Sequence, residues 1–157
     1  MNYSIRPIRE EEYGCLDEFL YQAVFAMEGA EKPDREIIRK PELQVYVDRF
    51  GEGQADFCLL AEADGKTVGA VWSRIMNDYG HISDGIPSLA VSLLPEYRNK
   101  GIGTALMKEM LALLKEKGYS QVSLSVQKDN YAVKLYRKSG FRIYRERENE
   151  YLMLADL

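Results

Sequence analysis

The clearest signals in this chain are periods. "YSIRPI", residues 3 to 8, alternates along the chain as a half-buried strand does. Leu16, Phe19, Leu20, Ala23, Val24 and Met27 then recur at intervals of three and one, which predicts an amphipathic helix. Glu10, Glu11 and Glu12 stand at its positive N-terminal end. Residues 28 to 41 carry Gly29, Pro33 and Pro41 and read as a loop broken by a short helical piece. Leu43, Tyr46, Val47 and Phe50 suggest a second short helix, stopped by "GEG". "FCLLAEADGKTVGAVWSRIM" reads as two strands around Asp64-Gly65, a pair suited to a tight hairpin turn. Residues 77 to 87 form a polar loop.

The second half of the chain changes period. "SLAVSLL" is nearly continuous in apolar character, as in a strand covered on both faces. Ile102, Leu106, Met110 and Leu113 mark a helix stripe that ends at Gly118. "SQVSLSV" is another strand, so residues 88 to 126 form a right-handed βαβ unit with parallel strands. Residues 130 to 139 predict a short helix closed by Gly140, and "FRIYRE" and "EYLMLADL" two last strands. No repeat, low-complexity tract or linker interrupts the order. The reading is one α/β (α+β) domain over residues 1 to 157, with a mixed sheet of six to seven strands and flanking helices.

Composition narrows the class. A chain of 157 residues with 46% hydrophobic and 29% charged residues reads as soluble and globular. No apolar run approaches the roughly 20 residues that span a bilayer, and "MNYSIRPIREEEYG" lacks the apolar core of a secretory signal. A net charge of −4 disfavours nucleic acid as the main partner. Cys15 and Cys58 lie in apolar patterns without metal-ligand spacing and read as buried thiols, which fits a cytoplasmic protein. With a single histidine and no cysteine cluster, no metal site is expected.

Candidate chemistry concentrates at "PEYRNKGIGTALM", residues 95 to 107. Gly101 and Gly103 lower helix propensity where a helix should begin. A helix start exposes unpaired N–H groups at the positive end of the dipole, which suits an anion. Arg98 and Lys100 add cationic charge beside it. The physical reading is a pyrophosphate cradle; an ordinary surface turn is the alternative that this stretch alone leaves open. It is not the Rossmann GxGxxG, because Thr104, Ala105 and Leu106 follow Gly103, and nothing matches the P-loop.

Arg98-Asn99-Lys100-Gly101-Ile102-Gly103 resembles the R/Q-x-x-G-x-G/A segment of the GNAT superfamily of N-acetyltransferases. Further on, "DNYAVKLYRKSGF" resembles that family's N-x-x-A-x-x-L-Y-x-x-x-G-F segment, and the element order resembles its fold over essentially the whole chain. The resemblance implies a GNAT fold with a splayed parallel strand pair and acetyl-CoA as acyl donor, without a metal. The backbone of Asn99, Lys100, Gly101, Ile102, Gly103 and Thr104 would hold the pyrophosphate, with Arg98 opening the motif. Val91, Ser92 and Leu93 would pair with pantetheine, and the Leu93 N–H would polarise the thioester carbonyl. Tyr136 matches the tyrosine that protonates the departing thiolate; by position alone it also reads as a core tyrosine beside Leu135 and Phe141. The family asparagine falls on Asp129, with Asn130 next to it; either could cap the helix, and Asn130 is the favoured cofactor contact, with Asp129 as a plain N-cap the alternative. Lys134 and Arg137 reach either the CoA phosphates or solvent.

The implied reaction is direct attack of a primary amine, from a small molecule or a peptide, on the thioester in a ternary complex. A lysine-type amine, with a pKa of roughly 10.4, must first lose a proton. His81 and Asp84 in the loop before the cofactor strand are the candidate bases. Relatives often carry Glu where Ser88 stands, which leaves a water chain beside Ser88 as a further route. Tyr79, Tyr131 and Trp72 are candidates to line an acceptor pocket, with Trp72 also reading as core. A non-catalytic acyl-CoA sensor of the same fold is the alternative; it would not need Tyr136. No nucleic acid or membrane partner is expected, and free strand edges near the C-terminus suit a homodimer.

Overall fold

The computed structural model describes residues 2–24 and 32–157. Met27 of the predicted stripe, and residues 28 to 31 of the predicted loop, lie outside the described residues. Seven strands form one sheet: β1 (Tyr3–Pro7), β2 (Phe57–Ala63), β3 (Lys66–Arg74), β4 (Ser88–Leu93), β5 (Gln121–Gln127), β6 (Arg142–Glu146) and β7 (Glu150–Asp156). Their order is β1-β2-β3-β4-β5-β7-β6. The β2–β3 turn places both Asp64 and Gly65 at positive φ, as a two-residue hairpin requires.

Helices cover both faces. α1 (Leu16–Ala23) and α2 (Pro41–Gln44) share one face with Phe50, Leu60 and Trp72. α3 (Ile102–Glu116) and α4 (Ala132–Lys138) share the other with Val71, Leu124 and Met153. Along α3 the fully buried ridge is Ile102, Leu106, Met110 and Leu114; Leu113 is only half-buried. The steady i, i+4 step keeps one row against the sheet.

Two elements differ from their sequence reading. The acidic trio does not open α1; it forms a separate 3-10 turn, Glu10–Cys15. Arg6 holds the Glu12 carboxylate at 2.7 and 2.6 Å, and the Arg9 N–H donates to it at 2.9 Å. These bonds hold the carboxyl at about 2 and fix the turn before the helix begins. The second helix is also shorter than its stripe, with turns continuing from Val45 to Phe50. The Arg74 guanidinium donates to the carbonyls of Val45 (3.0 Å) and Asp48 (2.7 Å), and the Trp72 indole to that of Tyr46 (3.0 Å). Side chains of β3 thus take carbonyls that a longer helix would use. Cys58 is buried as expected, while Cys15 is only half-buried.

The decisive feature lies between β4 and β5. They are parallel neighbours, but their register holds only at Ser88 and Ser123. Beyond that pair the strands part.

Candidate active site

The parting strands open a cleft of about 1020 Å³. One wall is β4 from Leu89 to Leu93, and the other is β5 from Leu124 to Gln127. The start of α3 closes one end, and Tyr46, Tyr79 and Glu150 lie at the other.

Backbone direction follows from two hydrogen bonds. The Leu94 N–H donates to Val68 on the β3 side at 2.9 Å. On the other side, the Ser123 N–H of β5 donates to the Pro87 carbonyl at 2.9 Å. Successive residues of a strand turn their backbone groups to opposite edges. Ala90 and Ser92 therefore share the β3 edge with Leu94, while Leu89, Val91 and Leu93 face β5. Because β5 has already diverged, the N–H groups of Val91 and Leu93 point into the gap. The Leu93 carbonyl accepts from Arg98 Nε at 3.1 Å, which leaves its N–H as the strand's last donor to the cleft. Ser92 faces the other layer, where its hydroxyl donates to the Phe19 carbonyl at 2.7 Å.

At the turn, Asn99 has φ 60° and Gly101 φ 88°. The second angle is one that a Cβ would strain, and this accounts for a glycine before the helix. The Gly101 carbonyl receives the first helical bond, from the Ala105 N–H at 3.1 Å. The N–H groups of Ile102, Gly103 and Thr104 therefore lack a partner one turn back. Among the described residues, no N–H from Asn99 to Thr104 donates to a backbone carbonyl or a side chain. A Cβ on Gly103 would sit 3.5 Å from Leu93 Cδ1 and 3.7 Å from Leu135 Cδ2. The protein could accommodate that side chain, but it would stand in the cleft. Arg98 spans from Leu93 to Gln22, whose carbonyl and side-chain oxygen both lie 3.3 Å from Nη2. No carboxylate among the described residues neutralises it. The turn thus offers a row of N–H donors and an uncancelled cation at the positive end of a 15-residue helix.

The other expected residues divide. Val91, Ser92, Leu93, Arg98, Asn99, Gly101, Gly103, Thr104, Asn130 and Tyr136 all line the cleft. Ile102 does not: its side chain is fully buried in the core, so only its N–H faces the turn. The Lys100 side chain is exposed and outside the lining. Asn130 Oδ1 accepts from the Ala132 N–H at 2.9 Å, so its amide NH₂ remains to donate into the cleft, whereas Asp129 is exposed and outside it. Lys134 and Arg137 are exposed and also outside it. Tyr136 is 8% exposed and packs edge-on to Phe141 at 6.1 Å. Burial, reinforced by Tyr131, pushes its phenol up to about 12.

His81 and Asp84 are not brought to the cleft. The Asp84 side chain is 96% exposed, and its carboxylate lies 3.5 Å from His81 Nε2. Trp72 is fully buried in the core, while Tyr79 and Tyr131 line the cleft and are exposed. Sequence reasoning did not find the groups that shape the far end. Tyr46, counted there as one apolar position of a stripe, lines the cleft and is nearly buried. Asp78 accepts from the Ser88 hydroxyl at 2.9 Å, and burial raises its carboxyl above the usual range. Arg147 reaches from the β6–β7 turn to the Tyr79 carbonyl (2.8 Å) and to Glu150 (2.6 Å). No periodic pattern announces these contacts; the bond from Arg147 to Tyr79 joins segments 68 residues apart, and the Asp78–Ser88 bond crosses a loop.

Comparison with known proteins gives the same picture. A model described as the acetyltransferase (GNAT) family matches residues 20–141. An N-alpha-acetyltransferase of Sulfurisphaera tokodaii is 33% identical over 128 residues, 71% of this chain and 75% of that protein. A mycothiol acetyltransferase of Clavibacter sepedonicus is 28% identical over 76% of this chain, a match that spans only 38% of that longer protein. Among solved structures, the PaiA N-acetyltransferase of Thermoplasma acidophilum, in complex with coenzyme A, superposes with a TM-score of 0.73 over 100% of both chains at 22% identity.

Proposed function

Because this chain belongs to the acetyltransferase (GNAT) family, we propose that it moves an acetyl group from acetyl-CoA to the α-amino group of a peptide-like acceptor, by direct attack in a ternary complex. The observation that carries the reading is the row of free N–H donors from Asn99 to Thr104, continued by the Leu93 N–H in the gap. The row suits a pyrophosphate, and a strand edge without its neighbour suits the amide groups of pantetheine. The name of the Sulfurisphaera relative supports an α-amine acceptor.

Each group of the chain has a defined task. The turn and Arg98 bind the phosphates. The Leu93 N–H donates to the thioester oxygen as it gains charge, in a site where a fixed donor needs no reorganisation. Tyr136 faces the leaving sulfur. A phenol at about 12 keeps its proton at any working pH. A thiol's pKa of roughly 8.5 makes full transfer unfavourable at equilibrium, so Tyr136 acts mainly as a hydrogen-bond donor to the thiolate as it forms. This task is specific to turnover; an acyl-CoA sensor would have no use for it.

The test is incubation of the protein with acetyl-CoA and a lysine-free peptide, read by mass spectrometry and by free CoA. The expected result is an added 42 Da, as for any acetyl group, on the peptide's N-terminus (about one acetyl per CoA released). CoA release without peptide modification would refute an α-amine acceptor.

A further inference from the structure

The amine arrives protonated, and just outside the lining at the far end of the cleft the Asp78 carboxylate stands on the Ser88 hydroxyl, unused by the acetyl-transfer reading. We propose that Asp78, acting through the Tyr46 hydroxyl, takes the proton from the incoming ammonium. The proposal rests on the acetyl-transfer reading of the same cleft and adds its missing proton acceptor.

Geometry leads to this pair. Ser88 is fully buried at the one point where β4 and β5 still register, the apex of the cleft. Its hydroxyl donates to Asp78 Oδ1 at 2.9 Å. A carboxylate thus reaches the strand position from the loop, although the strand residue itself is a serine. Gly80 leaves room for it: a Cβ there would lie 3.2 Å from Asp78 Oδ2 and 3.2 Å from the Ser125 N. Ser123 donates to the Gly80 carbonyl at 2.5 Å, which ties this loop to β5. Tyr46 lines the far end of the cleft, which Asp78 does not, and its phenol is a near neighbour of Asp78 and Ser125. Trp72 and Arg74 hold its segment by the backbone.

The step balances. One ammonium N–H bond breaks and its proton passes to Tyr46 Oη, while the tyrosine O–H bond breaks and that proton passes to an Asp78 oxygen. A neutral amine, an unchanged tyrosine and a neutral carboxylic acid remain. The groups facing Asp78 are Ser88 on β4, Tyr46 from the 45–50 turn, and the backbone N–H groups of Asp78 and Gly80. Tyr46 in turn faces Ser125 on β5 and feels Glu150 on β7, which is paired with Arg147. None of these is a cation against Asp78, so burial dominates and raises its carboxyl. That direction narrows the gap to an incoming ammonium, and the gap is smaller for an α-ammonium of roughly 8 than for a lysine ammonium of roughly 10.4.

The experiment follows kcat/KM against pH for wild type, Asp78→Asn, Tyr46→Phe and Ser88→Ala. The acceptor is whichever of a lysine-free peptide, spermidine and glucosamine the wild type acetylates fastest. Stabilisation by acetyl-CoA is measured on each protein. Asp78→Asn should lose about 10²- to 10³-fold at pH 7, within the range of a lost general base, and recover as pH rises and the free amine predominates. Tyr46→Phe should lose in the same direction. Ser88→Ala removes a donor that favours the ionised carboxylate, so its acidic limb should move to higher pH. Stabilisation by acetyl-CoA should not change in any variant. The proposal is overturned if Asp78→Asn keeps wild-type kcat/KM within threefold, or loses the same factor at every pH as a structural defect would. It is overturned equally if Ser88→Ala leaves the limb unmoved, which decides the matter even where Asp78→Asn does not fold. A wild type that prefers spermidine or glucosamine refutes only the α-amine acceptor. One that binds acetyl-CoA and acetylates none of the three overturns acetyl transfer and, with it, the role of Asp78.

Discussion

The two ends of the cleft are built on different principles. The end proposed to hold the cofactor is backbone: a strand edge without its neighbour, a left-handed glycine and the open start of α3. The end proposed to take the acceptor is side chains gathered from several segments: Tyr46 and Asp78 near β4, Arg147 and Glu150 around β7. A backbone site is encoded over a dozen consecutive residues and can bind the same donor in many relatives. A side-chain site needs several long-range contacts at once, and it is free to vary with the acceptor.

The largest effect should come from loosening the acceptor end alone. Asp56 is nearly buried and binds Arg74 at 3.1 and 3.0 Å, and Arg74 in turn holds the carbonyls around Tyr46. Asp56→Ala leaves that guanidinium without its partner and should lower stability by about 3–5 kcal/mol, measured by urea unfolding. In the protein that remains folded, KM for the acceptor should rise while acetyl-CoA affinity stays near wild type. A parallel loss of both would show that the two ends are not separable. Next comes the chemistry between them. Tyr136→Phe should lower kcat by about 10²-fold with acetyl-CoA binding retained; a weakened affinity instead would make Tyr136 a binding group. The smallest effect should come from a single methyl at the left-handed position of the turn. Gly101→Ala meets no atom within 4 Å but must hold φ 88°, a strain of roughly 1–2 kcal/mol. Acetyl-CoA affinity should fall by no more than about 30-fold, because about 1.4 kcal/mol is a factor of ten. Acceptor KM should not move.

This division also explains what was legible in the sequence. The strands, α3 and the turn at 98–104 could be read because periodicity and glycine spacing are local. The break between β4 and β5 has no local signature; it was expected only through the resemblance of two motifs. His81 and Asp84 drew attention by residue type, yet the loop turns them away from the cleft and turns Asp78 inward to Ser88. Asp129 and Asn130 are equivalent in the sequence pattern as helix caps; in the fold Asn130 accepts from the first N–H of α4 and lines the cleft, while Asp129 is exposed outside it. The 3-10 turn before α1 follows from the side-chain pair Arg6 and Glu12, which residue periodicity does not report, and the shortened α2 from Arg74, whose partners lie far away in sequence.

The account depends most on the backbone cradle, and one titration tests it. Thermal unfolding would be followed with rising acetyl-CoA, for wild type and for Gly103→Val, whose side chain would fill the cleft between Leu93 and Leu135. At 100 times Kd the wild type should gain roughly 2.7 kcal/mol, several degrees at about 2–4 °C per kcal/mol, and the variant should gain almost nothing while folding normally. Equal shifts in both proteins would mean that acetyl-CoA binds elsewhere, and would contradict the account.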